Sequence, residues 1–312
     1  MTTKTRSVKA QQPLTGKAAV TAVRQAFSGS IASVFAVAIA LLWTIPVLGL
    51  FINSFRSRDD AATTGWWVFF LHPSFSLSGY HDVLTSQGGL VLPLVNSLAI
   101  TIPATIIPIF VASMAAYSLA WMRFRGSDLI FFGLFALQVV PLQMALVPLQ
   151  QYYVHGLQIG GVTILPSPGI NGSIAQIWLT HTMFSLPLAI FLIHNFIAQL
   201  PASLIEAARV DGASHLRIFR SIVLPLSLPA IASFAIFQFL WVWNDLLMAL
   251  IFVSDPSKQP MTVRIPYLLS TYGQEYNLLA AAAFLLMILP LVVFFALQRY
   301  FVQGLLAGSV KT

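Results

Sequence analysis

The chain has 312 residues, of which 58% are hydrophobic and only 8% charged, with a mean hydropathy of +0.84. Soluble domains carry about 25% charged residues, so this sequence cannot hide its apolar surface within itself and a bilayer must take the excess. Zero cysteines exclude disulfides and thiolate metal sites, and the net charge of +7 points to nucleic acid only until it is located along the chain.

Residues 1–30 form a basic cytoplasmic tail with Lys4, Arg6, Lys9, Lys17 and Arg24 and no acid. Six apolar runs follow, each near the roughly 20 residues that a hydrocarbon core requires: 31–52, 90–121, 129–154, 174–198, 222–253 and 278–298. The first is too long for a cleavable signal and reads as an anchor. The second and fifth exceed one crossing, which predicts an interfacial turn or extension in each. Interior prolines (Pro103, Pro108, Pro141, Pro148, Pro187, Pro290) would break soluble helices, but neighbouring helices in a bundle can satisfy the freed backbone groups. The expected fold is therefore an all-α integral membrane protein with six transmembrane helices, a domain over 31–302 and a short tail over 303–312. On one side of that arrangement lie 12 of the 16 bases, so positive-inside bias places both termini in the cytoplasm and accounts for the charge without nucleic acid. Segments 54–89 and 254–277 then face outward, and both mix aromatics, proline, glycine and charge as folded caps do.

The polar segment LIEAARVDGASHLRIF, residues 204–219, falls between the fourth and fifth runs, in the cytoplasm. Pro201 ends the preceding helix, and Ser203 with Glu206 reads as a capping box that starts another. Ala207 and Ala208 form helix with almost no side chain, leaving room for a partner surface. Asp211-Gly212 is a turn signal, with glycine free to take a positive φ. Leu216, Phe219 and Ile222 or Val223 then recur at helical spacing, and Leu224-Pro225 marks re-entry into the membrane. By local chemistry alone this is a helix–turn–helix connector.

Its spacing says more. EAARVDGASHLRIFRSIVLPLSLP resembles the EAA signature of ATP-binding-cassette importer permeases, matched at Glu206, Ala207, Ala208, Asp211, Gly212, Ala213, Phe219, Ile222, Leu224 and Pro225. NSLAIT from Asn96, AAYSLAWMRFRG ending at Gly126, VVPLQMALVPL ending at Leu149, the Trp243-Asn244-Asp245 triplet and the terminal QRYFVQGLLAGSVK extend the resemblance. They point to the carbohydrate-uptake branch, of the maltose permease type. The resemblance implies the type I importer permease fold and a half-channel for a sugar or oligosaccharide, for instance an alpha-glucoside such as maltose or trehalose. The implied partners are a second permease subunit, two ATPase subunits that bind ATP and Mg, and an extracytoplasmic sugar-binding protein. The implied location is the inner membrane of a prokaryote. The same resemblance lays Glu206, Asp211 and the small residues between them in a groove of the ATPase, with Phe219 anchoring the loop to the permease. It also sends the tail at Gly304, Gly308 and Lys311 toward the ATPase dimer and loop 254–277 toward the binding protein.

No phosphate-cradling G-x-x-x-x-G-K-[ST] sequence occurs; TGKAAV at Thr15 lacks the upstream glycine, so ATP is expected on a separate chain, and this chain is expected to hold no cofactor or metal of its own. Asp245 is the single carboxylate inside a predicted span, a functional candidate by default. It lies about 20 residues beyond Pro225, roughly 30 Å along a helix, where it can equally cap a helix end. Asn96, Gln138, Gln238, Asn244 and Asp245 are the candidates for a translocation path, although amides also serve as interhelical glue. The six histidines show no metal-ligand spacing, most of them read as interfacial or solvated, and no catalytic set is apparent. Alternatives from the residues are an importer for a polyol, glycerol phosphate or osmolyte, a stand-alone secondary transporter, and a membrane enzyme or scaffold.

Overall fold

The structure is a computed structural model and describes residues 30–85, 89–122, 124–272 and 275–309, with side chains from Leu268 to Tyr272 and beyond Arg299 left aside. The bases of the N-terminal tail, Arg123 and Lys311 lie outside the described residues. The chain divides into a short unit, residues 1–50, and a large one, residues 51–312. Of the first unit only the greater part of α1 (Ser30–Ser54) is described, apolar on every side with one interior proline, Pro46.

The large unit contains α2 (Arg58–Thr63), a 3-10 turn over Trp66–Phe70, α3 (Ser78–Thr85), α4 (Val91–Trp121), α5 (Ser127–Leu137), α6 (Leu142–His155), α7 (Ile174–Ile197), α8 (Ala202–Val210) and α9 (His215–Ile218). A π-helical turn, Phe219–Val223, then leads through α10 (Leu224–Leu226) to α11 (Leu228–Trp243), α12 (Leu247–Phe252), α13 (Met261–Tyr272) and α14 (Tyr276–Ser309). Among the described residues four helices are long and apolar enough to cross a membrane, or up to six if two bent pairs each count as one span. The sequence runs 129–154 and 222–253 correspond to those bent pairs. Between α5 and α6 the chain turns by 99°, just before Pro141, which lacks an N–H and keeps the preceding residue out of the helical region. Between α10 and α11 it turns by 71° at Ser227, flanked by Pro225 and Pro229. The second run, by contrast, is one unbroken helix of 31 residues that contains Pro103 and Pro108. At the C-terminal end, α14 continues through Gly304 and Gly308 to Ser309.

The spine is α4 packed along α7, with α11 laid across α4 and α14. Small residues make this close approach possible: Ala104, Ala112, Ala116 and Ala189 are all fully buried, and bilayer helices associate through such contacts because lipid offers no hydrophobic drive between them. One core gathers Ala112, Ala116, Ile193, Ile197 and Phe234 at the end nearer α8; another gathers Ile100, Leu146, Tyr153, Ile177, Met248 and Phe252 at the opposite end.

Beyond α6 a two-stranded antiparallel hairpin, β1 (Leu157–Ile159) and β2 (Val162–Leu165), adds a small exception to the all-helical expectation. Its turn residues Gly160 and Gly161 have φ of 60° and 82°, the left-handed pair that a two-residue hairpin requires. The segment following α1 folds around buried Arg56, which donates to Asn53 Oδ1 at 3.1 Å, to Asp60 O at 2.8 Å, to Thr64 O at 3.2 Å and to the Thr64 hydroxyl. Ser74 and Ser57 donate to the Asp60 carboxylate at 2.7 and 2.8 Å, and these hydroxyls, with Arg56 nearby, hold its pKa below the ordinary 3.8.

Candidate functional site

The polar joint between α7 and α11 is built on both of its faces. After α7 the chain turns through Gln199-Leu200-Pro201, and α8 begins at Ala202 with Pro201 at the N-cap and no side-chain cap. The capping box expected at Ser203 and Glu206 does not form. Pro201 starts the helix early with Leu204 N–H on its carbonyl at 3.1 Å, so Ser203 already lies inside the first turn.

The other end of α8 bears out the turn signal. Gly212 has φ +77°, its N–H donates to Arg209 O at 3.0 Å, and Ala213 N–H donates to Ala208 O at 2.9 Å. This is the Schellman arrangement, with Ala208 and Ala213 packed together against the core to complete it. Ser214 caps the next helix by accepting Arg217 N–H at 3.4 Å.

The inner face is anchored by three buried residues, Ile205, Ile218 and Phe219, which enter the core shared by α4 and α7. Polar contacts pin it further. Arg209 Nη2 donates to Trp121 O at 3.2 Å, Trp121 Nε1 donates to Ile197 O at 3.3 Å, and Tyr117 Oη shares a 3.0 Å hydrogen bond with His215 Nδ1. The Tyr117 and Phe219 rings lie 5.5 Å apart. Tyr117, Trp121 and His215 were not singled out by the sequence reading.

The outer face is open. Glu206, Ala207, Asp211 and Gly212 are exposed, and so are the apolar side chains of Leu204, Val210 and Leu216, with Val210 reaching 87%. Leu224 and Pro225 follow the π-helical turn, where one extra residue per turn disturbs the hydrogen-bond ladder before the 71° bend. A rigid element anchored inside and bare outside can receive a partner and pass its movement to α4, α7 and α11.

The path candidates are scattered along the bundle. Asn96 is buried and its Nδ2 donates to Ser257 O at 2.8 Å and Gln259 O at 3.1 Å. Gln238 is buried and donates to Ala104 O at 2.9 Å, tying α11 to α4. Asn244 closes its own helix on Leu240 O at 2.8 Å. Gln138 is exposed at the bend between α5 and α6. Asp245 follows α11 and accepts Met248 and Ala249 N–H at 3.1 and 3.4 Å, capping α12, while Thr262 Oγ1 donates to its carbonyl at 2.7 Å. The carboxylate also faces His181, which is completely buried on α7 and so is an exception to the interfacial or solvated reading of most histidines. The Thr180-His181-Thr182 triplet inside an apolar run was the available signal.

Comparison with known proteins supplies the context. Residues 104–306 match the family described as "Binding-protein-dependent transport system inner membrane component". The chain is 50% identical over 279 residues to the osmoprotective compounds uptake permease protein GgtD of Synechocystis sp., covering 88% of this chain and 89% of that one. It is 50% identical over 240 residues to the alpha-glucoside transport system permease protein AglG of Rhizobium meliloti, covering 77% and 61% respectively. The crystal structure of a bacterial ABC transporter involved in alginate import superposes with a TM-score of 0.70 at 20% identity, over 93% of this chain and 100% of that chain, which establishes a shared fold.

Proposed function

We propose, from the premise that the chain belongs to the family of binding-protein-dependent transport system inner membrane components, that it is one permease subunit of an ATP-binding-cassette importer for a small glucoside. The observation that carries the reading is the joint at α8, whose Ile205, Ile218 and Phe219 side is sunk into the helix core while its Glu206 to Gly212 side stands open. Both termini and this joint face the cytoplasm, supported by the positive-inside distribution of the bases. ATP and Mg are held by two separate ATPase subunits, since this sequence has no phosphate-cradling loop of its own.

A second permease subunit completes the pathway, and an extracytoplasmic binding protein delivers the cargo. The end of α14 with Gly304 and Gly308, and Lys311 beyond it, would form a second ATPase contact. Asn96, Gln138, Gln238, Asn244 and Asp245 remain the polar positions from which a path could draw. An alpha-glucoside is supported by the name of the Rhizobium meliloti relative. A second cargo, an osmoprotective solute, is favoured by the Synechocystis relative, which covers more of both chains. The test is reconstitution of the four-part complex in vesicles with the binding protein, followed by ATP-driven uptake of labelled alpha-glucosides and osmolytes. Uptake of a glucoside that the binding protein also binds is the expected result. A binding protein that takes an amino acid or a metal and no sugar would overturn the assignment, and uptake by the isolated chain would overturn the importer reading itself.

A further inference from the structure

The pair of buried His181 and partly buried Asp245 lies far from the α8 joint. His181 precedes Ile197 by 16 residues, about 24 Å along α7, and Asp245 lies just past the far end of α11, whose 16 residues span about 24 Å. These are the two helices that leave the joint on either side, and here they approach again through polar side chains. His181 Nε2 lies 3.6 Å from Asp245 Oδ2, and neither ring nitrogen has a hydrogen-bond partner among the described residues although the side chain is 0% exposed. A buried polar group of this kind is rare enough to require a reason. A cavity of about 10 Å³ adjoins the pair, bounded also by Ser97 and Thr101 of α4, by Pro260 and by Thr262 in the first turn of α13. That is close to the room one water needs.

The local chemistry explains why the pair is poised and not closed. The Asp245 carboxylate is committed to the Met248 and Ala249 amides, which hold it against the break between α11 and α12. The imidazole is carried by an uninterrupted turn of α7. A slide of less than 1 Å between α7 and α11 would convert the 3.6 Å approach into a charge-assisted hydrogen bond, normally 2.7–2.9 Å, and a slide in the other direction would leave two buried polar groups apart. Trp241 sits edge-on to the imidazole at 6.1 Å, so the ring has an apolar wall on that side.

We propose that His181 is a positioning residue for transport: through Asp245 it latches α7 to the α11–α12 break, and this latch sets how readily that end of the bundle parts when the joint moves. The proposal rests on the importer reading above. Its strength as a coupling element follows from linkage, because an interaction present in one conformation and absent in the other shifts their ratio by its whole differential energy.

The experiment uses the complete complex in lipid nanodiscs, with ATP hydrolysis measured with and without binding protein. Asp245→Asn keeps an oxygen to cap α12 and removes the charge; His181→Leu removes the imidazole, and His181→Gln returns an N–H. We expect hydrolysis without binding protein to rise about fivefold or more in Asp245→Asn and His181→Leu, in line with ordinary coupling energies. His181→Gln should restore part of the dependence on the binding protein, and the double variant should rise no further than the larger single one. A purely structural role would lower assembly and activity together and would not produce this gain. Additive effects, or basal hydrolysis at the wild-type level in Asp245→Asn, would overturn the latch while leaving the importer reading intact. Failure of the wild-type chain to assemble with an ATPase would instead strike the reading on which the latch depends.

Discussion

Replacement of Gly212 separates the two jobs of the joint, holding its own shape and receiving a partner. The residue has φ +77°, and among the described residues beyond its two chain neighbours no atom lies within 4 Å of the place where a Cβ would stand. Sterics inside the chain therefore permit any side chain, and the intrinsic penalty is the left-handed backbone, about 1–2 kcal/mol for an ordinary L-residue. That corresponds to a roughly 5- to 30-fold loss in the population of the turn. Asparagine tolerates this region and should cost less. If an ATPase surface closes over the joint, a large side chain loses contact energy in addition, because the open space is occupied in the assembly. ATP-driven uptake should accordingly fall little in Gly212→Asn, moderately in Gly212→Ala and almost completely in Gly212→Trp, with membrane levels of all three unchanged. The critical comparison is Ala against Trp. Equal activity of those two would show that nothing closes on Gly212, and full activity of both would refute the need for the turn.

Tyr117→Phe keeps the ring against Phe219 and deletes the hydroxyl that meets His215 at 3.0 Å. An ordinary hydrogen bond contributes about 0.5–1.5 kcal/mol, so hydrolysis stimulated by the binding protein should drop about 2- to 12-fold, and His215→Ala in the Tyr117→Phe background should add little. The segment around Asp60 gives a pH test: its carboxyl pKa is depressed in the folded chain by the hydroxyls of Ser74 and Ser57, and then by Arg56. Its contribution is therefore present above the ordinary value of 3.8 and lost as pH falls through the lower folded value, so thermal melting of wild type should decline more steeply in that window than melting of Asp60→Asn. Parallel pH profiles would refute the assignment.

The parts of this protein that were legible beforehand are those written in local spacing. Apolar runs of membrane length, the Asp211-Gly212 turn and the stripe of Phe219 and Val223 are each decided by neighbours in sequence, and the helices, the Schellman cap and the buried anchor follow from them. The start of α8 was misread because two local signals competed: Pro201 could begin the helix before Ser203 became a cap. The sharp bend before Pro141 was not legible for a different reason, since an apolar run has the same composition whether it is straight or turned by 99°. The hairpin signal at Gly160-Gly161 was present but lay between flanking strands of only 3 and 4 residues. The remaining features depend on contacts between distant segments. Asn96 and Gln238 find their hydrogen-bond partners far away in the chain, at Ser257 and Gln259 in one case and at Ala104 in the other. His181 and Asp245 are separated by 64 positions, and neither alone states a role. Together they place an ionisable contact between the two helices that flank the joint, at the end opposite to it. A movement started at α8 must therefore either carry that contact with it or break it, and so the latch and the joint should be studied in the same complex.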